Sequence, residues 1–299
     1  MPHEVRLSII IPCYNAATTL GEQLAALAGQ TWDRPWEVIV ADNGSHDDSR
    51  RVAAHFLDCI PNLRIIDASA RRGGAFARNE GARQARGTAL AFVDADDVVA
   101  PGWVAAIGAA LDRHPFVASR FDTEHLNRHS WLNRTRRNPQ ANGLQRVKYP
   151  PYLPHAGGCG LAIERSLHEQ VGGFDESLLR LMDTDYCFRV QLQCQVELAF
   201  APEALVYIRY RDTLGGMLRQ TRERAIANVA LAMRYGGDQL PRRRALSLWV
   251  SYIRRWLRHL GHAIHIRQRE HLAEWLRMNA WLIGLLQGSL QHRCPPLSI

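Results

Sequence analysis

Four short apolar runs, each followed by a segment with helical spacing, constrain the first hundred residues. Val5-Arg6-Leu7-Ser8-Ile9-Ile10-Ile11 is β-branched and stops at Pro12. Leu20, Leu24 and Leu27 then recur at helical spacing, predicting a helix over 18–28. Residues 36–41 predict a second strand, followed by a helix capped by Asp47 or Asp48 and running to His55. Residues 63–67 predict a third strand, and Gly73-Gly74 opens a helix to Ala85. Residues 88–93 predict the fourth strand, and Pro101 starts a helix to Leu111. Strands alternating with helices imply an α/β fold with a mostly parallel sheet flanked by helices. In such sheets ligands bind outside the carboxyl ends of the strands.

Three polar clusters fall at those predicted strand ends. They are Pro12-Cys13-Tyr14-Asn15, Asp42-Asn43-Gly44-Ser45 and Asp94-Ala95-Asp96. If the extended backbone continues through Ala95, Asp94 and Asp96 share a face. Clustered carboxylates are costly without a cation or donor to neutralise them. Such a pair suits a hard divalent ion, Mg²⁺ or Mn²⁺, that also holds substrate phosphates. The plainer reading is a strand-to-helix turn with Asp97 as helix N-cap.

Residues 120–156 are rich in Arg, Asn, His and Pro with little periodicity, which reads as a long loop. A short helix is expected from Glu164. A further helix over 183–193 opens with acidic residues, which suits its positive end. From Thr213 the sequence reads helical. The boundary expected is therefore a catalytic domain over 1–212 and a helical, Arg-rich region over 213–299.

Charge divides in the same way. Residues 209–299 hold 16 Arg against 5 acidic residues, whereas the preceding 208 hold 21 basic and 24 acidic. In the rear segment Leu246, Trp249, Val250, Ile253, Trp256, Leu257 and Leu260 form an apolar stripe, beside Arg242, Arg243, Arg244, Arg254, Arg255 and Arg258. A basic amphipathic helix fits peripheral membrane contact through 243–290. Packing on the catalytic domain or on a second subunit, as a homodimer, fits the stripe equally. Nucleic acid is not the expected partner, because the tryptophans lie on the apolar stripe and not among the arginines. No run is long and apolar enough to span a bilayer, and no secretory signal is read at the N-terminus. The expected location is cytoplasmic, at most peripheral on the inner face of the plasma membrane. Six scattered cysteines without a Cys-x-x-Cys pair predict free thiols and no zinc site.

Six motifs in order resemble a family 2 glycosyltransferase of the GT-A fold, over about residues 5–235. They are Ile9-Ile10-Ile11-Pro12-Cys13-Tyr14-Asn15, Asp42-Asn43-Gly44-Ser45-His46-Asp47, Ala77-Arg78-Asn79-Glu80-Gly81, Asp94-Ala95-Asp96, Gly172-Gly173-Phe174-Asp175-Glu176 and Asp183-Thr184-Asp185. The resemblance implies a Rossmann-like GT-A fold and metal-dependent, inverting transfer of one sugar from a nucleotide-sugar, UDP-linked foremost. The acceptor hydroxyl would belong to a glycan, a lipid-linked acceptor or a small molecule. It implies that Pro12, Tyr14, Asn15, Asp42, Asn43, Arg78, Asn79, Asp94 and Ala95 contact the donor. Within that set Asp42 would accept the uracil imide N–H, and Arg78 would bind phosphate. Asp96, with Asp94, would hold the metal on the diphosphate. Asp183, partly buried at a helix start, would be the general base, with Asp185 the next candidate.

The chain departs from the family pattern in places. Met182 precedes Asp183 where many relatives carry Glu, and Asn43 stands where a second Asp is common. The Gln-x-x-Arg-Trp signature of processive synthases is absent, since Gln220-Thr221-Arg222-Glu223-Arg224 lacks the aromatic. His155, the nearest candidate for a further metal ligand, reads as a polar surface residue. Two other functions compete. A nucleotidyltransferase would need a Gly-rich N-terminal loop, where this chain has Pro12-Cys13-Tyr14-Asn15. A non-catalytic scaffold would not require Asp94, Asp96 and Asp183.

Overall fold

The computed structural model describes residues 4–60, 62–134, 136–236 and 245–296. Among these the chain forms two compact units. The first comprises residues 1–123, 138–145 and 154–209, and the second residues 124–137, 146–153 and 210–299.

The first unit is built on an eight-stranded sheet. Its first four strands are β1 (Leu7–Cys13), β2 (Trp36–Asp42), β3 (Leu63–Asp67) and β4 (Ala89–Phe92). These match the four apolar runs to within two residues. They alternate with α1 (Leu20–Ala28), α2 (Ser49–Ala54) and α3 (Gly74–Gln84). The sheet continues with β5 (Val98–Val99), β6 (Phe116–Asp122), β9 (Leu161–Glu164) and β10 (Ala199–Tyr207), in the order β3-β2-β1-β4-β9-β6-β10-β5. β1 pairs in parallel with β2 and β4, β2 with β3, and β6 with β10; β9 and β5 run antiparallel to their neighbours. The remaining elements of this part of the chain are α4 (Trp103–Leu111), the two-residue strands β7 (Gln145–Arg146) and β8 (Pro154–His155), α5 (Arg165–Gln170) and α6 (Met182–Cys194).

Strand alternation gives the sheet two apolar faces. Leu7, Ile9, Ile11, Val38 and Val40 join one cluster with Leu20, Leu24 and Trp103. Ile10, Ile39, Leu90 and Phe92 join the other with Ala77, Phe174 and Tyr186. Chain order reverses about β1, with β2 and β3 to one side and β4 to the other. The carboxyl ends of β1, β2 and β4 therefore open onto the crevice where a parallel sheet binds its ligand.

Four strands of the sheet, β5, β6, β9 and β10, were not visible in the sequence. β10 contains Pro202, which argues against a strand. Its ladder to β6 shifts register between Ala201 and Leu205, and the irregularity accommodates the proline. β9 is a four-residue run behind the glycines at 157, 158 and 160, and β6 leads into the stretch read as a loop.

The second unit holds a 3₁₀ turn (Trp131–Asn133) and the helices α7 (Leu214–Gly236), α8 (Ala245–Gly261) and α9 (Arg269–Gln291). α7 and α9 approach closely at glycines. A Cβ on Gly284 would lie 2.4 Å from the Arg222 carbonyl oxygen, and one on Gly288 would lie 3.0 Å from Val229 Cβ. No helix of the described residues is long and apolar enough to cross a membrane.

Candidate active site at the strand carboxyl ends

At the ends of β1 and β2, Pro12 pairs with Ala41 and Cys13 with Asp42. Asp42 is almost fully buried. Its Oδ1 accepts the Ser45 N–H at 3.2 Å, and its Oδ2 meets Arg50 Nη1 at 3.2 Å. Arg50 is 56% exposed, so this pair is screened and contributes at most about 1 kcal/mol. Asn15 takes a left-handed conformation (φ 48°). Its N–H donates to Ser45 Oγ at 3.1 Å and its Oδ1 accepts the His46 N–H at 2.8 Å, fastening the two loops together. Tyr14 is exposed and lies under Arg72, whose Cζ is 4.3 Å from the ring centroid. Arg72 Nη2 is also 3.1 Å from His46 Nε2.

Asn43 works differently from its neighbours. Its amide donates to the Ala68 and Arg71 carbonyls, and its Oδ1 accepts the Gly73 N–H at 2.8 Å. It thereby pins the loop that leads into α3, where Gly73 has φ 140°. Asn79 is a second clip. It donates to the Phe174 carbonyl and Glu176 and accepts the Phe174 N–H, holding the 173–176 turn.

The Asp94 segment is not extended. β4 ends at Phe92, and the Asp97 N–H closes onto the Asp94 carbonyl at 3.4 Å. Asp94 and Asp96 therefore lie on a turn, and strand alternation does not relate them. Ala95 sits in the apolar core. Asp97 caps no helix: β5 follows it directly, and α4 begins at Trp103 behind Gly102 in the left-handed region. Asp97 instead accepts the Arg209 N–H at 2.7 Å. Arg209 reaches on to the Asp96 carbonyl at 2.9 Å and Glu22 at 2.7 Å. No local pattern in the sequence marks Arg209, because its partners lie more than a hundred residues away.

Arg78, Asp94 and Asp183 converge. Arg78 is buried, its Nη2 ion-paired with Asp94 Oδ1, its Nη1 3.8 Å from Met182 Sδ, and its Cζ 5.7 Å from the Phe174 ring. Its Nε is buried and has no hydrogen-bond partner. Asp183, half-buried in the first turn of α6, accepts the Gly158 N–H on Oδ2 at 3.0 Å and the Thr184 N–H on Oδ1 at 2.9 Å. A methyl on Gly158 would stand 3.5 Å from Arg78 Nη2 and 3.5 Å from Asp183 Cβ. That glycine lets the β8–β9 connection pass between the two charges.

Asp185 is a different kind of residue. It is fully buried and paired with Arg189 at 2.7 Å, and Arg189 also donates to the Val171 and Gly173 carbonyls. The expectation that Asp185 is a reserve base is corrected, since its carboxylate is enclosed by a structural ion pair. His155 is corrected too. It is half-buried, with Nδ1 3.3 Å from Thr184 Oγ1 and its ring edge-on to Phe188.

Asp94, Asp97 and Cys159 bring their donor atoms within 4.8 Å of one another. This set alone is a poor cage for a hard cation. Burial pushes the Cys159 thiol well up, keeping it protonated. Asp97 is also pushed well up, first by burial and then by the charges of Asp96 and Asp94.

The sequence profile described as Glycosyl transferase family 2 matches residues 8–172, more than half of the chain. The chain belongs to glycosyl transferase family 2. Similar proteins include the glycosyltransferase AglE of Haloferax volcanii, 40% identical over 91 residues, 30% of each chain. A second is the Escherichia coli UDP-Glc:alpha-D-GlcNAc-diphosphoundecaprenol beta-1,3-glucosyltransferase WfgD, 33% identical over 33% of this chain and 36% of that one. A third is the validoxylamine A glucosyltransferase of Streptomyces hygroscopicus, 37% identical over 36% of this chain and 26% of that one. The chain thus matches only about a third of these relatives' lengths. Among solved structures, the mannosyltransferase PcManGT from Pyrobaculum calidifontis, in complex with GDP-Man and Mn²⁺, has TM-score 0.65 at 20% identity, covering 98% of this chain and 89% of that one. S. aureus TarS residues 1–349 in complex with UDP has TM-score 0.54 at 18% identity, covering 97% and 92%. These likenesses establish the GT-A fold.

Proposed function

We propose that this protein transfers a single sugar from a nucleotide-sugar, UDP-linked foremost, to an acceptor hydroxyl with inversion. The observation that carries the reading is the convergence of Arg78, Asp94 and Asp183, with an unpartnered guanidinium Nε on the buried arginine.

In this reading Asp42 accepts the base N–H, while Pro12, Tyr14 and Asn15 line the nucleoside pocket. Asn43 and Asn79 act on the donor indirectly, by holding the loops around it. The Arg78 Nε donates to a diphosphate oxygen, an acceptor that the protein itself does not give it. Asp94 and Asp96 would hold a divalent cation that offsets charge on the leaving diphosphate. Asp183 takes the acceptor proton on a carboxylate oxygen as the acceptor oxygen bonds to the anomeric carbon. The bond from that carbon to the diphosphate oxygen breaks on the opposite face, so configuration inverts. The Gly158 and Thr184 N–H groups fix the carboxylate for this role.

For the acceptor, the relatives' names give a diphosphoundecaprenol sugar in one case and a small molecule in another. We favour the lipid-linked acceptor, reached by peripheral docking of the cationic C-terminal region. A donor-hydrolysis screen over UDP-, dTDP- and GDP-sugars, with and without Mg²⁺ or Mn²⁺, tests the reading. Metal-stimulated release of UDP is expected, and no hydrolysis of any donor would overturn it.

A further inference from the structure

The apolar stripe expected on the rear of the chain divides into two faces of α8. The inner face packs on α9. Tyr252 donates to the Leu282 carbonyl at 2.8 Å, and the His259 ring stacks on Trp275 at 5.6 Å. Trp249 and Trp256 flank Tyr252 on this side, at ring distances of 6.4 and 6.2 Å. The two tryptophans are therefore structural residues of the helical unit. This corrects the expectation that they belong to the docking stripe.

The outer face is a second stripe made of aliphatic residues alone. Leu246, Val250, Ile253, Leu257 and Leu260 are all exposed, Leu246 at 79% and Leu257 at 63%. Ile264, in the following 3₁₀ turn, extends the line at 82% exposure. Their spacing of three and four residues keeps them on one side of the helix. Arg254 and Arg258, both exposed, border the stripe, and Arg255 lies half-buried beside them. Arg242, Arg243 and Arg244 fall outside the described residues. Between Asp238 and Glu270 the sequence carries eight Arg and no acidic residue.

We propose that the outer face of α8 is a docking surface for anionic lipid. An aliphatic band bordered by arginines lies in the plane of a bilayer interface, its apolar side below the headgroups and its guanidinium groups among them. Charge decides against the other occupants. A two-fold contact with a second copy brings each patch onto itself. It would oppose arginine to arginine, with no carboxylate in the segment to intervene. Single-stranded nucleic acid would need exposed aromatic rings on which bases stack, and the exposed stripe has none. The surface rests on the lipid-linked reading above for its purpose, but its binding is measured without sugar transfer.

The test is flotation of the full chain with vesicles of phosphatidylcholine alone or mixed with phosphatidylglycerol. The protein should float with the mixed vesicles, less well with neutral ones, and release as NaCl is raised. Arg254→Glu with Arg258→Glu should weaken anionic-vesicle binding at least tenfold, since each basic residue contributes roughly fivefold. Ile253→Glu with Leu257→Glu should abolish it. These side chains are exposed, so circular dichroism should be unchanged; if a variant does not fold, the salt titration of the unaltered protein still decides. No binding to anionic vesicles, or equal binding by the variants, overturns the proposal. So does a dimer in light scattering that Leu257→Glu dissolves, which would make the stripe a subunit interface. Soluble-donor hydrolysis on the same samples separates the readings. Its absence with vesicle binding intact would remove the transferase and leave the lipid surface.

Discussion

Arg78 and Asp94 form an ion pair in which the arginine is nearly buried and the aspartate a third exposed. Nη2 is held by Asp94 and Nη1 lies against Met182 Sδ, while Nε has no acceptor. In the proposed reading, an anion supplied by the donor would complete this arrangement. Arg78→Lys keeps the charge but loses the planar fork. It should weaken UDP binding by about tenfold or more in calorimetry, without unfolding the chain. Unchanged affinity would mean that the arginine serves the fold alone.

The cation hypothesis concerns Asp96. Asp96→Asn removes a carboxylate at a turn where burial, and then the charges of Asp96 and Asp94, push the Asp97 carboxyl well up. UDP binding by this variant should no longer respond to Mg²⁺ or Mn²⁺, and transfer should be lost. Full activity in EDTA would sink the hypothesis.

Asp42 and Arg50 separate base reading from surface charge. Asp42→Ala should weaken UDP binding by roughly 10- to 100-fold, the range of a charge-assisted hydrogen bond. Arg50→Ala removes a screened, exposed partner and should change affinity less than about fivefold. Equal effects would make Arg50 part of the base pocket.

Burial lowers the His168 pKa to about 4, with its Nδ1 2.8 Å from Tyr186 Oη. The folded chain keeps this ring neutral, whereas the unfolded chain protonates it near pH 6.5. Between those values the unfolded state binds more protons, so stability falls as pH falls. The loss should approach about 3 kcal/mol by pH 4, with no contribution from this group above pH 7. Urea unfolding at stepped pH measures it, and His168→Gln should flatten the slope.

The parallel half of the sheet was legible because apolar runs and leucine spacing are local signals. Leu20, Leu24 and Leu27 mark α1, and Asp183 marks the start of α6. The antiparallel insertion of β9 between β4 and β6 was not legible, since four residues behind a glycine cluster carry no periodicity. Of the residues proposed for the site, Asp42, Asp94 and Asp183 could be read from their motifs. Gly158 and Arg209 could not, because their contacts join segments far apart in the chain. Asn43 and Asn79 were read as donor contacts, but the structure shows their amides engaged with backbone. Side-chain type alone does not reveal such a clip.

The central claim is that Asp183 is the base and Asp185 a structural residue. Breaking the buried Asp185–Arg189 pair should cost about 3–5 kcal/mol of stability. Asp183 lies outside that pair. The most direct measurement is turnover, UDP affinity and melting temperature for Asp183→Asn and Asp185→Asn side by side. The account predicts that Asp183→Asn loses about 10²- to 10⁴-fold in turnover while UDP affinity and melting temperature barely change. Asp185→Asn should instead melt well below the unaltered protein. Full turnover by Asp183→Asn would contradict the account.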